Sequence, residues 1–266
     1  MSRQRTRRAR ARAAVGTFTL LLLVTTLAAC AAGPPAPSAN GGTTAAAANL
    51  QLGAAYLQQG NLPVAKDKLE RARAQSPRDP QIRGMLAMLY GRMGDTVRAE
   101  AAFHDALQLA PHDPELLNNY AVYLCSHGRV DEGVAHFEQA AVNPLYRTPW
   151  AAYANAGVCL RGAKRNAEAH ARFEKAIQAR SDYTEAVTQL VDLDLSENHP
   201  APALARVQAF IGVNPPDAEL LLLGWRAANA QQDKIAMARF AYQLQTEFRD
   251  SEQARSVRGA MQGARP

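Results

Sequence analysis

Small and large apolar positions return along this chain at a spacing far longer than one helical or extended turn. Leu52-Gly53, Tyr56, Gly60, Ala65, Leu69, Ala72 and Pro77 reappear as Leu86-Ala87, Tyr90, Gly94, Ala99, Phe103, Ala106 and Pro111, each 34 residues further on. A third copy reads Tyr120-Ala121, Leu124, Gly128, Gly133, Phe137 and Ala140. A fourth, displaced by a two-residue slip containing Pro149, reads Ala156-Gly157, Leu160, Ala169, Phe173 and Ala176. Two worn copies follow: Leu190-Val191, Ala203, Val207 and Pro215, then Leu223-Gly224, Ala227, Ala236 and Phe240. Pairs four apart, such as Ala65/Leu69 and Ala99/Phe103, share one face of a helix. Gly60, Gly94 and Gly128 stand where a helix must stop, and Pro77, Pro111 and Pro215 break the chain between copies. No hairpin dipeptide separates alternating runs. The pattern predicts an all-α chain of about six helix pairs, starting near residues 46, 80, 114, 150, 184 and 217.

These residues resemble the tetratricopeptide repeat, in which two antiparallel helices carry small residues where they cross and large apolar ones between them. The resemblance implies a superhelix over residues 46–250, with residues 251–266 as a C-terminal cap or tail. It also implies a concave groove lined by the first helix of each pair. Carried over by repeat position, the groove receives Leu50, Ala54, Leu57 and Gln58 from the first copy, Met88 and Arg92 from the second, and Asn118 and Val122 from the third. Such a groove suits an apolar segment or amphipathic helix of a partner. Only Arg92 and Asn118 answer to a clamp for a terminal carboxylate. The alternative is that the N-terminal segment or a capping helix covers these apolar residues.

The leader sets the compartment. Arg3, Arg5, Arg7, Arg8, Arg10 and Arg12 precede residues 15–29, VGTFTLLLLVTTLAA, an uncharged run that is short for a membrane span and suits the core of a secretory signal. Leu27-Ala28-Ala29-Cys30 resembles the lipobox of bacterial lipoproteins, which implies cleavage after residue 29 and lipidation of Cys30. The alternative is an uncleaved anchor. Ala31 stands where an Asp would resemble the inner-membrane retention signal, so the resemblance implies the outer membrane, with the body facing the periplasm. Residues 31–45 have tether composition. The chain then divides into a signal peptide (1–29), a lipidated Cys and tether (30–45), the repeats (46–250) and the tail.

Charge and chemistry exclude more than they add. Of 30 Lys and Arg, six lie in that leader, which leaves 24 against 24 Asp and Glu, so the body has no electrostatic footprint for nucleic acid. No GxSxG, GxxxxGK[ST] or HExxH occurs, and the six histidines are scattered. We expect no enzyme, no metal, no cofactor and no small-molecule substrate. Cys125 and Cys159 fall on the first helices of the third and fourth copies, which pack side by side in this family. An oxidising periplasm favours a disulfide there, the alternative being two buried thiols serving as small apolar residues.

Lipobox, tether, six such repeats and two cysteines in the third and fourth together resemble the type IV pilus biogenesis and stability lipoproteins, the PilW/PilF group. The phrase Asn118-Asn119-Tyr120-Ala121-Val122-Tyr123-Leu124-Cys125, then Gly128 and Phe137-Glu138-Gln139-Ala140, carries most of the resemblance. It implies an outer-membrane pilotin that helps the pilus secretin reach the membrane and assemble into multimers. The repeats by themselves imply only protein binding, and a periplasmic adaptor for peptidases or cell-wall enzymes is the second reading. Asp194, where Tyr or Leu is usual, and Gln243, where Ala is usual, mark departures from the repeat.

Overall fold

The computed structural model describes residues 39–263. Six antiparallel helix pairs follow one another: α1 (Ala39–Gln58) and α2 (Leu62–Gln75), α3 (Pro80–Arg92) and α4 (Thr96–Leu109), α5 (Pro114–Ser126) and α6 (Val130–Ala141), α7 (Pro149–Gly162) and α8 (Asn166–Ala179), α9 (Thr184–Ser196) and α10 (Pro200–Ile211), α11 (Ala218–Ala230) and α12 (Lys234–Glu247). A single helix, α13 (Glu252–Gly263), closes the stack against α11 and α12. The described residues are thus a tetratricopeptide-repeat superhelix. The expected signal peptide and Cys30 lie outside them. α1 starts seven residues ahead of the expected position near 46, running through Gly41 and Gly42 into the alanine-rich stretch after Thr44.

Each pair is held by a large side chain of the second helix seated against the first, at a Gly or Ala in five pairs and at Val191 in the fifth. Leu69, Phe103, Phe137, Phe173, Val207 and Phe240 occupy this place and are fully buried or nearly so. Burying each contributes on the order of 1.5–3 kcal/mol. The approach is close: a Cβ on Gly157 would lie 2.6 Å from Cε1 of Phe173. The backbones of neighbouring first helices also approach one another closely, whereas those of successive second helices stand further apart. The stack therefore curves with the first helices inside. Long side chains bridge the outer gaps, with Arg172 of α8 on Glu138 of α6 and Arg206 of α10 on Glu174 of α8.

The two edges of the stack differ. At one, called the start edge, first helices begin and second helices end; Gln81 Nε2 donates to Asp113 Oδ2, Asn143 Nδ2 to the His112 carbonyl and Gln253 Nε2 to Glu219 Oε2 across successive repeats. There Asp79 and Asp113 cap α3 and α5, each accepting two backbone N–H bonds ahead of a proline. At the other, the turn edge, Asn166 donates to Glu197 and Gln231 to the Pro200 carbonyl. Each turn closes with the same bond, as in Asp95 N–H to the Tyr90 carbonyl and Asp233 N–H to the Ala228 carbonyl, both 2.9 Å. Gly60, Gly94 and Gly128 hold the left-handed position in the first three turns, with φ of +75° to +78°; Lys164, Asn198 and Gln232 hold it in the last three, with φ near +60°.

The fifth repeat contains a buried carboxylate. Asp194 is 3% exposed at the place of Tyr90, Leu124 and Leu160 in earlier repeats. Its Oδ1 lies 3.6 Å from His170 Nε2 of α8 and its Oδ2 3.5 Å from Arg206 Nε of α10, and Oδ2 accepts no hydrogen bond. Burial raises the Asp194 carboxyl above the usual carboxylate range, opposed by Arg206, His170 and His199.

Two predictions follow from these backbone and core positions. Nothing lies within 4 Å of a Cβ built on Gly94, so Gly94→Ala should cost about 1 kcal/mol through backbone strain alone, and Gln232→Gly should gain up to about as much, read by denaturant unfolding. Asp194→Leu should gain about 1–4 kcal/mol at pH 7, with Arg206 still paired to Glu174. A carboxyl whose folded value is raised destabilises increasingly as pH climbs through that value. The gain should therefore be smaller at pH 4 than at pH 7 when unfolding is measured at both.

Candidate functional site: the inner groove

Because the first helices lie inside, their open faces form the groove. Leu50, Ala54, Met88, Asn118 and Val122 are half-buried there, with Gln58 and Arg92 exposed at its margin. Leu57 is a correction to the sequence reading. It is 6% exposed and sits in the cluster built on Leu69, Ile82, Leu86 and Leu89, where burial of its side chain outweighs display on the open face.

The cysteines build the middle of the groove. Cys125 of α5 and Cys159 of α7 are joined by a disulfide, with Cα atoms 5.7 Å apart. Sequence position explains a neighbour: where other repeats carry Ala65, Ala99, Ala169, Ala203 and Ala236, the third has Gly133, and a Cβ there would lie 2.5 Å from Cys125 Sγ. The glycine makes room for the sulfur. Beside the disulfide lies a cavity of about 500 Å³ lined by Val122, Phe137, Val158 and Gly162. At its wall Asn155 Nδ2 donates to Asn118 Oδ1 at 3.1 Å. Val158 and Asn155 escaped the sequence reading, which carried groove positions over only for the first three repeats.

Beyond the disulfide the groove turns polar. Arg161 of α7 donates to Gln189 and pairs with Asp192 of α9, and Gln189 donates to Glu185. These charges satisfy one another across the groove. A partner therefore meets an apolar floor over repeats one to four and a closed ion-pair network after it. A larger cavity, about 720 Å³, lies between the second helices α8 and α10, against Ile177, Val187 and Phe210, and is separate from this groove. Among the described residues no group of three or more His, Cys, Asp or Glu side chains could hold a metal ion, and no helix is long and apolar enough to cross a membrane.

Curved helix pairs with an open inner face define a tetratricopeptide-repeat protein-binding scaffold. Sequence profiles of the tetratricopeptide repeat match residues 46–89 and 80–113. The type IV pilus assembly protein PilF of Pseudomonas aeruginosa is 28% identical over 200 residues, covering 75% of this chain and 79% of that one. The structure of P. aeruginosa PilF superposes with a TM-score of 0.61 at 26% identity, over 83% of this chain and 99% of the other. The crystal structure of PilW, a widely conserved type IV pilus biogenesis factor, gives 0.62 at 26% identity, over 80% and 97%. Over most of its length the chain is thus similar to the type IV pilus biogenesis tetratricopeptide-repeat proteins PilF and PilW.

The disulfide closes a 34-residue separation, and replacing both cysteines by alanine should cost about 2–4 kcal/mol in denaturant unfolding. Gly133→Ala should destabilise the oxidised protein, and less so the variant lacking both cysteines, because the closest clash is with the sulfur while the 3.0 Å approach to the Ala121 carbonyl remains.

Proposed function

We propose that the chain is an outer-membrane lipoprotein pilotin that binds the type IV pilus secretin and promotes its localisation and multimer assembly. The observation that carries the reading is the apolar inner face over repeats one to four, on a chain similar to pilus biogenesis proteins. Leu50, Met88, Val122 and Val158 offer an extended floor for an apolar or amphipathic segment of secretin, and few charges there must be desolvated. The lipobox-like Leu27-Ala28-Ala29-Cys30 supports a periplasm-facing lipid anchor. In this reading no bond is made or broken. The anchor supplies the membrane address, the groove holds secretin subunits beside it, and raised local concentration promotes assembly.

The test is a deletion strain examined for heat-resistant secretin multimers in separated outer membranes. Complementation by wild type should restore them, and Cys30→Ala should not. Met88→Glu with Val122→Glu, which places two carboxylates on the apolar floor, should lower capture of secretin at least tenfold while helicity and the disulfide are retained. Unchanged multimers in the deletion strain, together with copurification of a peptidase or wall enzyme, would replace the pilotin with the adaptor.

A further inference from the structure

The connection between α6 and α7 is longer than the other repeat junctions before α11 and carries the two-residue slip. It is a built projection. Asn143 Nδ2 donates to the His112 carbonyl at 2.8 Å, Asn143 Oδ1 accepts from Leu145 N–H at 2.9 Å, and Tyr146 N–H donates to the Asn143 carbonyl. Tyr146 packs inward against the third-repeat core. The side chains left outside are apolar: Val142 is 72% and Leu145 82% exposed. Arg147 follows, exposed, and neither it nor Arg78, on another loop of the same edge, makes an ion pair among the described residues.

Topology says what covers this projection. It stands on the start edge, and α1, as a first helix, begins on that edge at Ala39. Eight residues separate Ala39 from Cys30, a reach of about 30 Å at most. A lipid on Cys30 would therefore tether the chain at the start edge, within about 30 Å of the bilayer. Two apolar side chains are too few for a stable protein interface, which needs roughly 800 Å² from each partner. An apolar tip with Arg147 beside it, and Arg78 further along the same edge, does match a headgroup layer, where chains insert about 5–10 Å and the guanidinium meets phosphate.

We infer that the loop of residues 142–147 is a second membrane contact, inserting Val142 and Leu145 into the phospholipid headgroup region and so fixing which way the groove faces. The inference rests on the lipid-anchored reading above, and the test separates the two. Every described helix lies in the compact unit Ala39–Pro266, so a chain beginning at Cys30 keeps its folded body. Its Cys30 thiol is coupled to a maleimide lipid in vesicles of phosphatidylethanolamine and phosphatidylglycerol; Cys125 and Cys159, bonded to each other, do not react. Leu145→Trp is compared with Ile235→Trp, whose site on the turn edge is 85% exposed. The signal of Trp150 and Trp225 is subtracted.

Brominated phospholipids should quench the tryptophan at 145 at least threefold more than that at 235, and adding Val142→Glu should abolish the difference. Equal quenching at the two sites, or none at 145, overturns the inference. So does loss of secretin capture by Leu145→Glu without quenching at 145, which would make the loop a protein contact. Acylation of Cys30 in cells is read independently from the mass of the exported chain. An unmodified Cys30 with a quenched tryptophan at 145 would remove the natural anchor while supporting the loop's affinity for lipid.

Discussion

The described fold depends on one contact repeated from pair to pair: a large apolar side chain of the second helix pressed onto the first, at a Gly or Ala in five of the six pairs and at Val191 in the fifth. Where the large residue is Phe173, the small one is Gly157, and the helices come so close that a single added carbon would collide with the ring. Close packing within a pair sets the tilt between its helices. Repeated with neighbouring first helices in contact, that tilt becomes curvature, and curvature produces an inner face. The groove is thus a by-product of core packing, and its chemistry is decided by residues that the core leaves free.

Much of this was legible because the repeat compares the sequence with itself. Gly60, Gly94 and Gly128 marked turns by their identity. Lys164, Asn198 and Gln232 adopt the same left-handed backbone without being glycine, so only the spacing of 34 or 36 residues from one turn to the next could have located them. Asp194 stood out as a departure, but its burial between His170 and Arg206 depends on side chains from two other helices. The early start of α1 was hidden by Gly41 and Gly42, whose composition reads as tether although the helix runs through them.

The groove was legible in part, for a different reason. Repeat position puts Met88, Asn118 and Val122 on first helices, where they are half-buried. It does not tell how much of a side chain the core takes up, and Leu57 is buried. Nor does position reveal pairing across repeats: the Arg161–Asp192 pair that closes the polar end joins residues 31 apart, and their partnership depends on the curvature. Gly133 had a readable signal, a glycine in an otherwise alanine column, whose cause emerges only with the sulfur beside it.

The placement of the disulfide has a mechanical meaning. A curved stack of helix pairs flexes by changing the spacing between successive repeats, and here the outer side is bridged by arginine–carboxylate pairs such as Arg172–Glu138 and Arg206–Glu174 rather than by a covalent bond. The bond between α5 and α7 lies on the inner side at a single junction. That junction is the one place where the spring cannot open. Bending is left to the junctions on either side, so the molecule deforms as two arms about a riveted centre, and a partner gripping the first arm can change its curvature without disturbing the second.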